Sequence, residues 1–118
     1  MRVMVILMSL ALSTVAVADP AAVATGKKLY NQTCVACHGP TGKGAIPGVA
    51  DLTKSDGALA KSDDVLFKSI KEGFQSPGAA LAMPPNGGNP ALKDEDIRAL
   101  LAYLRSTFSS DVRGVGAN

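Results

Sequence analysis

The sequence predicts an all-α fold, and three features carry that prediction. Apolar residues recur at three- and four-residue steps in three separate stretches, each opened or closed by residues that favour helix ends. No run alternates apolar and polar side chains as a strand would, and neither an internal repeat nor a hairpin pattern is evident. Between the periodic stretches, Gly39 to Gly57 and Gly73 to Pro90 hold nine of the twelve glycines and six of the seven prolines, which bars them from regular structure.

The first eighteen residues stand apart from this pattern. Met1-Arg2 is a short basic start, Val3 to Leu12 is an apolar stretch broken only by Ser9, and Ala16-Val17-Ala18 is a small-x-small cleavage signal before Asp19. Residues 1–18 therefore read as a cleaved secretory leader. The sixteen residues from Val3 to Ala18 fall short of the ~20 that a membrane span requires. The residue directly after the cleavage point is Asp19, not a cysteine that could take a lipid. What remains, residues 19–118, is one domain by length.

The first helix is expected to run from about Ala21 into Cys34, with Ala22, Gly26, Leu29, Tyr30 and Thr33 on one face. A second begins after Ser62, an N-cap followed by Asp63 and Asp64 in the first turn, and carries Val65, Leu66, Ser69 and Ile70 toward the stop at Gly73. The third, Asp94 to Phe108, aligns Ile97, Leu100, Leu101 and Leu104. Three acids open it and Arg105 lies near its end, as the helix dipole favours. Lys93 is a poor cap, so Asp94 is expected to cap this helix instead. Ser109 to Asn118, with two glycines and almost no large apolar side chain, is expected to be a flexible tail on a 19–108 domain.

Charge excludes one class of partner. With Arg2 removed, eleven basic residues face ten acidic ones, too even a balance for nucleic-acid binding. The domain has five aromatics, Tyr30, Phe67, Phe74, Tyr103 and Phe108, and no tryptophan. A chain this short buries a modest share of its surface, so a large apolar cofactor would supply much of its core.

The chemistry is concentrated in Cys34-Val35-Ala36-Cys37-His38, which holds both cysteines and the single histidine. Cys-x-x-Cys-His is the attachment spacing of c-type haem: two thiols on one turn add to the two vinyl groups and the next side chain turns its imidazole to the iron. Three other readings compete. Structural zinc wants four Cys or His ligands and only three are available. A thioredoxin-like dithiol expects a preceding strand that the pattern lacks. A disulfide across so short a loop would add little stability.

Met83 bears on the second axial position. Met1, Met4 and Met8 leave with the leader, so it is the one remaining thioether, 45 residues after His38. Pro84 pushes it into extended backbone, away from the helix face a packing methionine would occupy. His38 and Met83 are therefore the expected metal ligands, with Cys34 and Cys37 as the covalent anchors.

On these residues, together with Gly26 and Tyr30, Gly44 to Leu52, Ile70 to Gly73, Met83 to Gly88, and Leu100 and Tyr103, the chain resembles class I cytochromes c of the small bacterial type. The match extends from Gly26 to Leu104. The resemblance implies a class I cytochrome c fold, three to four short helices wrapped around one covalently bound haem c. It implies that the terminal helices cross at Gly26, that aromatics including Tyr103 close the haem pocket, and that the Pro47 carbonyl accepts a hydrogen bond from the proximal imidazole.

Two protein ligands leave no open iron position, so no catalytic residue is expected and the chain reads as no enzyme. The expected role is a periplasmic carrier of one electron between a donor dehydrogenase or respiratory complex and an acceptor oxidase or reductase. Neither nucleic-acid binding nor membrane insertion after leader cleavage is expected, and the protein is expected to be a monomer. Alternatives are a stably bound relay subunit of a periplasmic oxidoreductase, or a haem sensor with an open distal site. Lys27, Lys28, Lys43, Lys68 and Lys71 could form a ring for an acidic partner or be an ordinary solvated face.

Overall fold

A computed structural model of the chain describes residues 19–109. The leader, residues 1–18, lies outside the described residues, as does the tail beyond Ser109, which is itself buried at the end of the last helix. Four helices follow in order: α1 Pro20–Thr33, α2 Val35–His38, α3 Asp63–Glu72 and α4 Asp94–Phe108. A 3-10 turn at Ala58–Ala60 and a tight turn at Pro85–Gly88 punctuate the loops. The described residues contain no β-strand, only an isolated antiparallel bridge between Phe74 and Met83. The all-α class expected from periodicity is the one observed.

Local chemistry explains the helix ends. The Asp19 carboxylate accepts from the Ala21 N–H at 3.1 Å, and Pro20 occupies the first helical position, where its missing N–H costs nothing. Ser62 caps α3 by accepting from the Val65 N–H at 3.4 Å, and Gly73, at φ +83°, ends it. Two expectations are corrected. The first helix does not run unbroken into the cysteine turn: Cys34 departs to φ −104° and the chain resumes as the single turn α2. And Lys93, not Asp94, is the N-cap of α4. Its extended backbone lets the Asp96 carboxylate reach back and accept from the Lys93 N–H at 2.9 Å, the bond that the third helical residue makes in a capping box.

The principal packing contact joins the first and last long helices, α1 and α4. Gly26 sits at their crossing, where a Cβ would lie 2.7 Å from both the carbonyl carbon of Ala99 and the Cβ of Tyr103. Ala99 and Tyr103, four residues apart, form the row of α4 that faces α1. Tyr30, Tyr103 and Phe108 pack in a triangle with ring centroids 5.4 to 5.8 Å apart. This cluster and the inaccessible Ile97 form the dry side of the core.

Arg105 ties a loop to this frame. Its Nε donates to Asp63 at 2.9 Å, while its two terminal nitrogens donate to the backbone carbonyls of Leu59 and Lys61. One guanidinium thus joins α4 to the segment that leads into α3.

Candidate haem pocket

On the other side of α4, Leu100 and Leu104 line a cavity of about 640 Å³, within the usual range for ligand sites of about 300–1,000 Å³. Leu52, Leu59, Leu66, Ile70 and Leu92 add to an apolar wall. Into the same cavity open all four sulfur and imidazole side chains singled out in the sequence: Cys34, Cys37, His38 and Met83. The two long loops supply much of the remaining wall, as their glycine and proline content allowed.

The cysteine turn is held from behind. Tyr30 Oη, on α1, donates to the buried Gly39 carbonyl at 2.6 Å, fixing the chain where it leaves His38. Burial pushes the Tyr30 phenol up from 10.0 to about 12. Cys34 is half-buried and Cys37 exposed, and they are not joined by a disulfide. Burial, then the neighbouring Cys37, raise the Cys34 thiol from 9.0 to about 11. Among the described residues no three Cys, His, Asp or Glu side chains converge as a group that could hold a metal ion.

His38 shows where the resemblance misjudged a detail. Its Nδ1 lies 3.3 Å from the carbonyl of Ala50, not of Pro47. The loop reverses at residues 46–49, where the Val49 N–H bonds the Ile46 carbonyl and Gly48 takes φ +88°. Pro47 therefore sits at the exposed tip of a turn and does not line the cavity, while the chain coming back from it brings Ala50 to the ring. With Nδ1–H given to that carbonyl, Nε2 is the nitrogen left with a lone pair. Burial lowers the His38 pKa from its ordinary value, partly opposed by the Ala50 contact.

Tyr103 is likewise displaced from its expected place. It is buried, but it faces α1 behind Tyr30 and does not line the cavity, because the Leu100 and Leu104 row of α4 takes that side. Tyr30 alone of the pair reaches the cavity wall.

Met83 is held by its backbone. Its N–H donates to the Phe74 carbonyl at 2.7 Å and its carbonyl accepts from the Phe74 N–H at 3.0 Å. Gly73 permits the approach: a Cβ there would lie 2.8 Å from the Met83 carbonyl oxygen. The distal loop is further pinned by Asn89, whose amide donates to Thr33 Oγ1 at 3.2 Å. Nothing in the sequence announced Ala50, Asn89 or the reach of Arg105, since each acts across more than ten residues without a motif. Of the five lysines weighed as a ring, Lys71 is engaged by Asp94 at 2.9 Å.

The donor set fits a haem: two thiols and an imidazole from one turn, a thioether from another loop, and an apolar cavity between them. Comparison with known proteins agrees. Residues 21–104 match the family model described as cytochrome C oxidase, cbb3-type, subunit III. The chain is 33% identical over 81 residues to cytochrome c-555 of Chlorobaculum thiosulfatiphilum, covering 69% of this chain and 91% of that protein. It is 36% identical over 89 residues to cytochrome c-554(547) of Halothiobacillus neapolitanus, with the same two coverages. A match of 38% over 82 residues to "Lupanine 17-hydroxylase [cytochrome c]" of a Pseudomonas species covers 68% of this chain but a tenth of that longer protein. With most of the described chain covered by a cytochrome c model and by small cytochromes c that it spans over nine tenths of their length, the protein belongs to the cytochrome c family, as a small class I-like c-type cytochrome carrying covalently bound haem c.

Proposed function

We propose that this cytochrome is an exported one-electron carrier in which Cys34 and Cys37 form the thioether bonds, and His38 and Met83 are the axial ligands. The observation that carries the reading is the opening of those four side chains into one apolar cavity. Haem c, when bound, supplies a reversible one-electron couple at its iron. The chain's own residues do the rest. Ala50 fixes the His38 tautomer, the Phe74 bridge and Gly73 hold the Met83 backbone, and the leucine wall excludes water. Held by His38 and Met83, the iron would have a raised potential, which would suit exchange between a donor dehydrogenase or respiratory complex and an oxidase or reductase. Among the described residues no helix is long and apolar enough to cross a membrane, and export rests on the leader read in residues 1–18.

The test is the visible spectrum of the purified protein, followed by extraction with acidified organic solvent. The expected result is a ferric sulfur-to-iron charge-transfer band and pigment that stays with the polypeptide. A colourless protein, or pigment that partitions into solvent, overturns the proposal. The longer lupanine relative and the oxidase-subunit family description favour a second reading, a relay subunit bound to a larger oxidoreductase. Gel filtration of native extract separates the two, since a carrier elutes alone and a subunit elutes with its enzyme.

A further inference from the structure

We propose that Lys61 is the recognition point for a carboxylate arm of the cofactor, and that Arg105 is the positioning residue that sets it there. The inference rests on the haem reading above and adds to it a named contact. A haem carries two propionates, and a carboxylate drawn into a largely apolar cavity needs a cation or hydrogen-bond donors beside it. Among the described residues lining the cavity, Lys61 is the one lysine or arginine. Its ammonium lies 4.4 Å from the ring centroid of Phe74, and Phe74 is the bridge partner of Met83. The cation therefore stands on the Met83 side of the cavity, parked on an aromatic face from which a carboxylate would draw it.

Arg105 makes this placement a property of the fold. The Lys61 carbonyl accepts from one terminal nitrogen of Arg105 at 2.5 Å and the Leu59 carbonyl from the other, while Nε holds Asp63. Three acceptors, on residues 59, 61 and 63, are satisfied by one planar group. Lysine, with all its donors on one nitrogen, cannot present that spread of three nitrogens. The loop backbone from which Lys61 projects is thereby clamped to α4, the helix that also lines the cavity with Leu100 and Leu104.

The consequence is electrostatic. A propionate near the iron favours the ferric state, and a paired cation cancels part of that bias. The midpoint potential of haem-loaded Lys61→Gln, measured against a fixed mediator, is expected to correspond to a several-fold smaller equilibrium constant for reduction. Lys27→Gln removes the same charge from an exposed position on α1 outside the cavity lining and is expected to leave the constant within a small fraction of wild type. Lys61→Arg should restore it. Arg105→Lys, which keeps the net charge, is expected to shift the potential in the same direction as Lys61→Gln while helicity is retained.

Equal shifts in Lys61→Gln and Lys27→Gln would overturn the proposal, as would no shift in either. If Lys61→Gln does not fold, failure of Lys61→Arg to match the wild-type potential is the overturning result. All variants are read with covalent pigment and the sulfur-to-iron band intact, so a protein lacking these refutes the axial assignment and not the role of Lys61.

Discussion

Substituting Gly26 by alanine adds one methyl group at the point where the structure has least room for it. The new Cβ would stand 2.7 Å from the Ala99 carbonyl carbon and 2.7 Å from Tyr103 Cβ, with the Ala99 oxygen closer still. Comfortable carbon contacts begin at about 3.5 Å, so α1 and α4 must part by roughly 1 Å along this line. Both obstacles are backbone or the first side-chain atom, and neither can rotate away. Overpacking typically costs about 1–3 kcal/mol, and an obstruction this rigid belongs at the upper end. Alanine returns about 1 kcal/mol through its better helix propensity, leaving a net loss of about 2 kcal/mol. In a domain of this size each kcal/mol moves Tm by about 4–8 °C, so Gly26→Ala should melt about 8–16 °C lower. The assay is thermal unfolding of the haem-loaded protein by far-ultraviolet circular dichroism. Ala24→Gly, exposed on the same helix, calibrates the propensity term at about 1 kcal/mol. A Gly26→Ala variant as stable as wild type, or more so, would mean that the helices do not cross this closely.

Met83→Ala should keep its covalent haem, lose the sulfur-to-iron band and gain carbon monoxide binding in the ferrous state. An unchanged band would identify a different sixth ligand. Gly73→Ala forces a side chain into φ +83° and against the Met83 carbonyl, so about 1–3 kcal/mol of strain is expected. The same band should weaken in it, and a full-strength band with unchanged Tm would refute the bridge geometry. Tyr30→Phe leaves the buried Gly39 carbonyl without its 2.6 Å donor and should cost about 1–3 kcal/mol in chemical denaturation. Because the buried phenol is held neutral up to about pH 12 against an ordinary 10.0, its contribution is complete below pH 10 and fades as pH climbs toward 12. The stability gap between wild type and Tyr30→Phe should narrow over that window.

The features legible in the sequence were those encoded by neighbours. Helix periodicity placed α3 and α4, caps at Ser62 and Gly73 fixed the ends of α3, and Cys34 to His38 declared its own chemistry. The uniqueness of Met83, with Pro84 behind it, pointed to the second loop. What failed was decided by three-dimensional routing. Pro47 lost the His38 contact to Ala50 because a turn at Gly48 moves the proline to the surface, and no local rule states how far a loop travels after such a turn. Tyr103 fell on the α1 side of α4 because Gly26 invites the Ala99 and Tyr103 row to dock there. One step of helix phase separates a cofactor wall from a helix interface, and hydrophobicity alone does not distinguish them. The reach of Arg105 to carbonyls more than forty residues away left no trace in spacing at all.

The docking of α4 on α1 also has a meaning for the order of events during synthesis. Tyr30, Tyr103 and Phe108 meet only when the chain's distant portions have both been made, and closing a stretch of some seventy residues carries an entropic toll that nearby contacts do not share. Until α4 emerges, nothing covers Gly26 or the inner face of α1, and the cavity lacks the wall supplied by Leu100 and Leu104. The pair of thiols at positions 34 and 37 is complete long before that moment. The architecture thus leaves the growing polypeptide open around its reactive turn, and makes the arrival of the last helix the act that shuts the container.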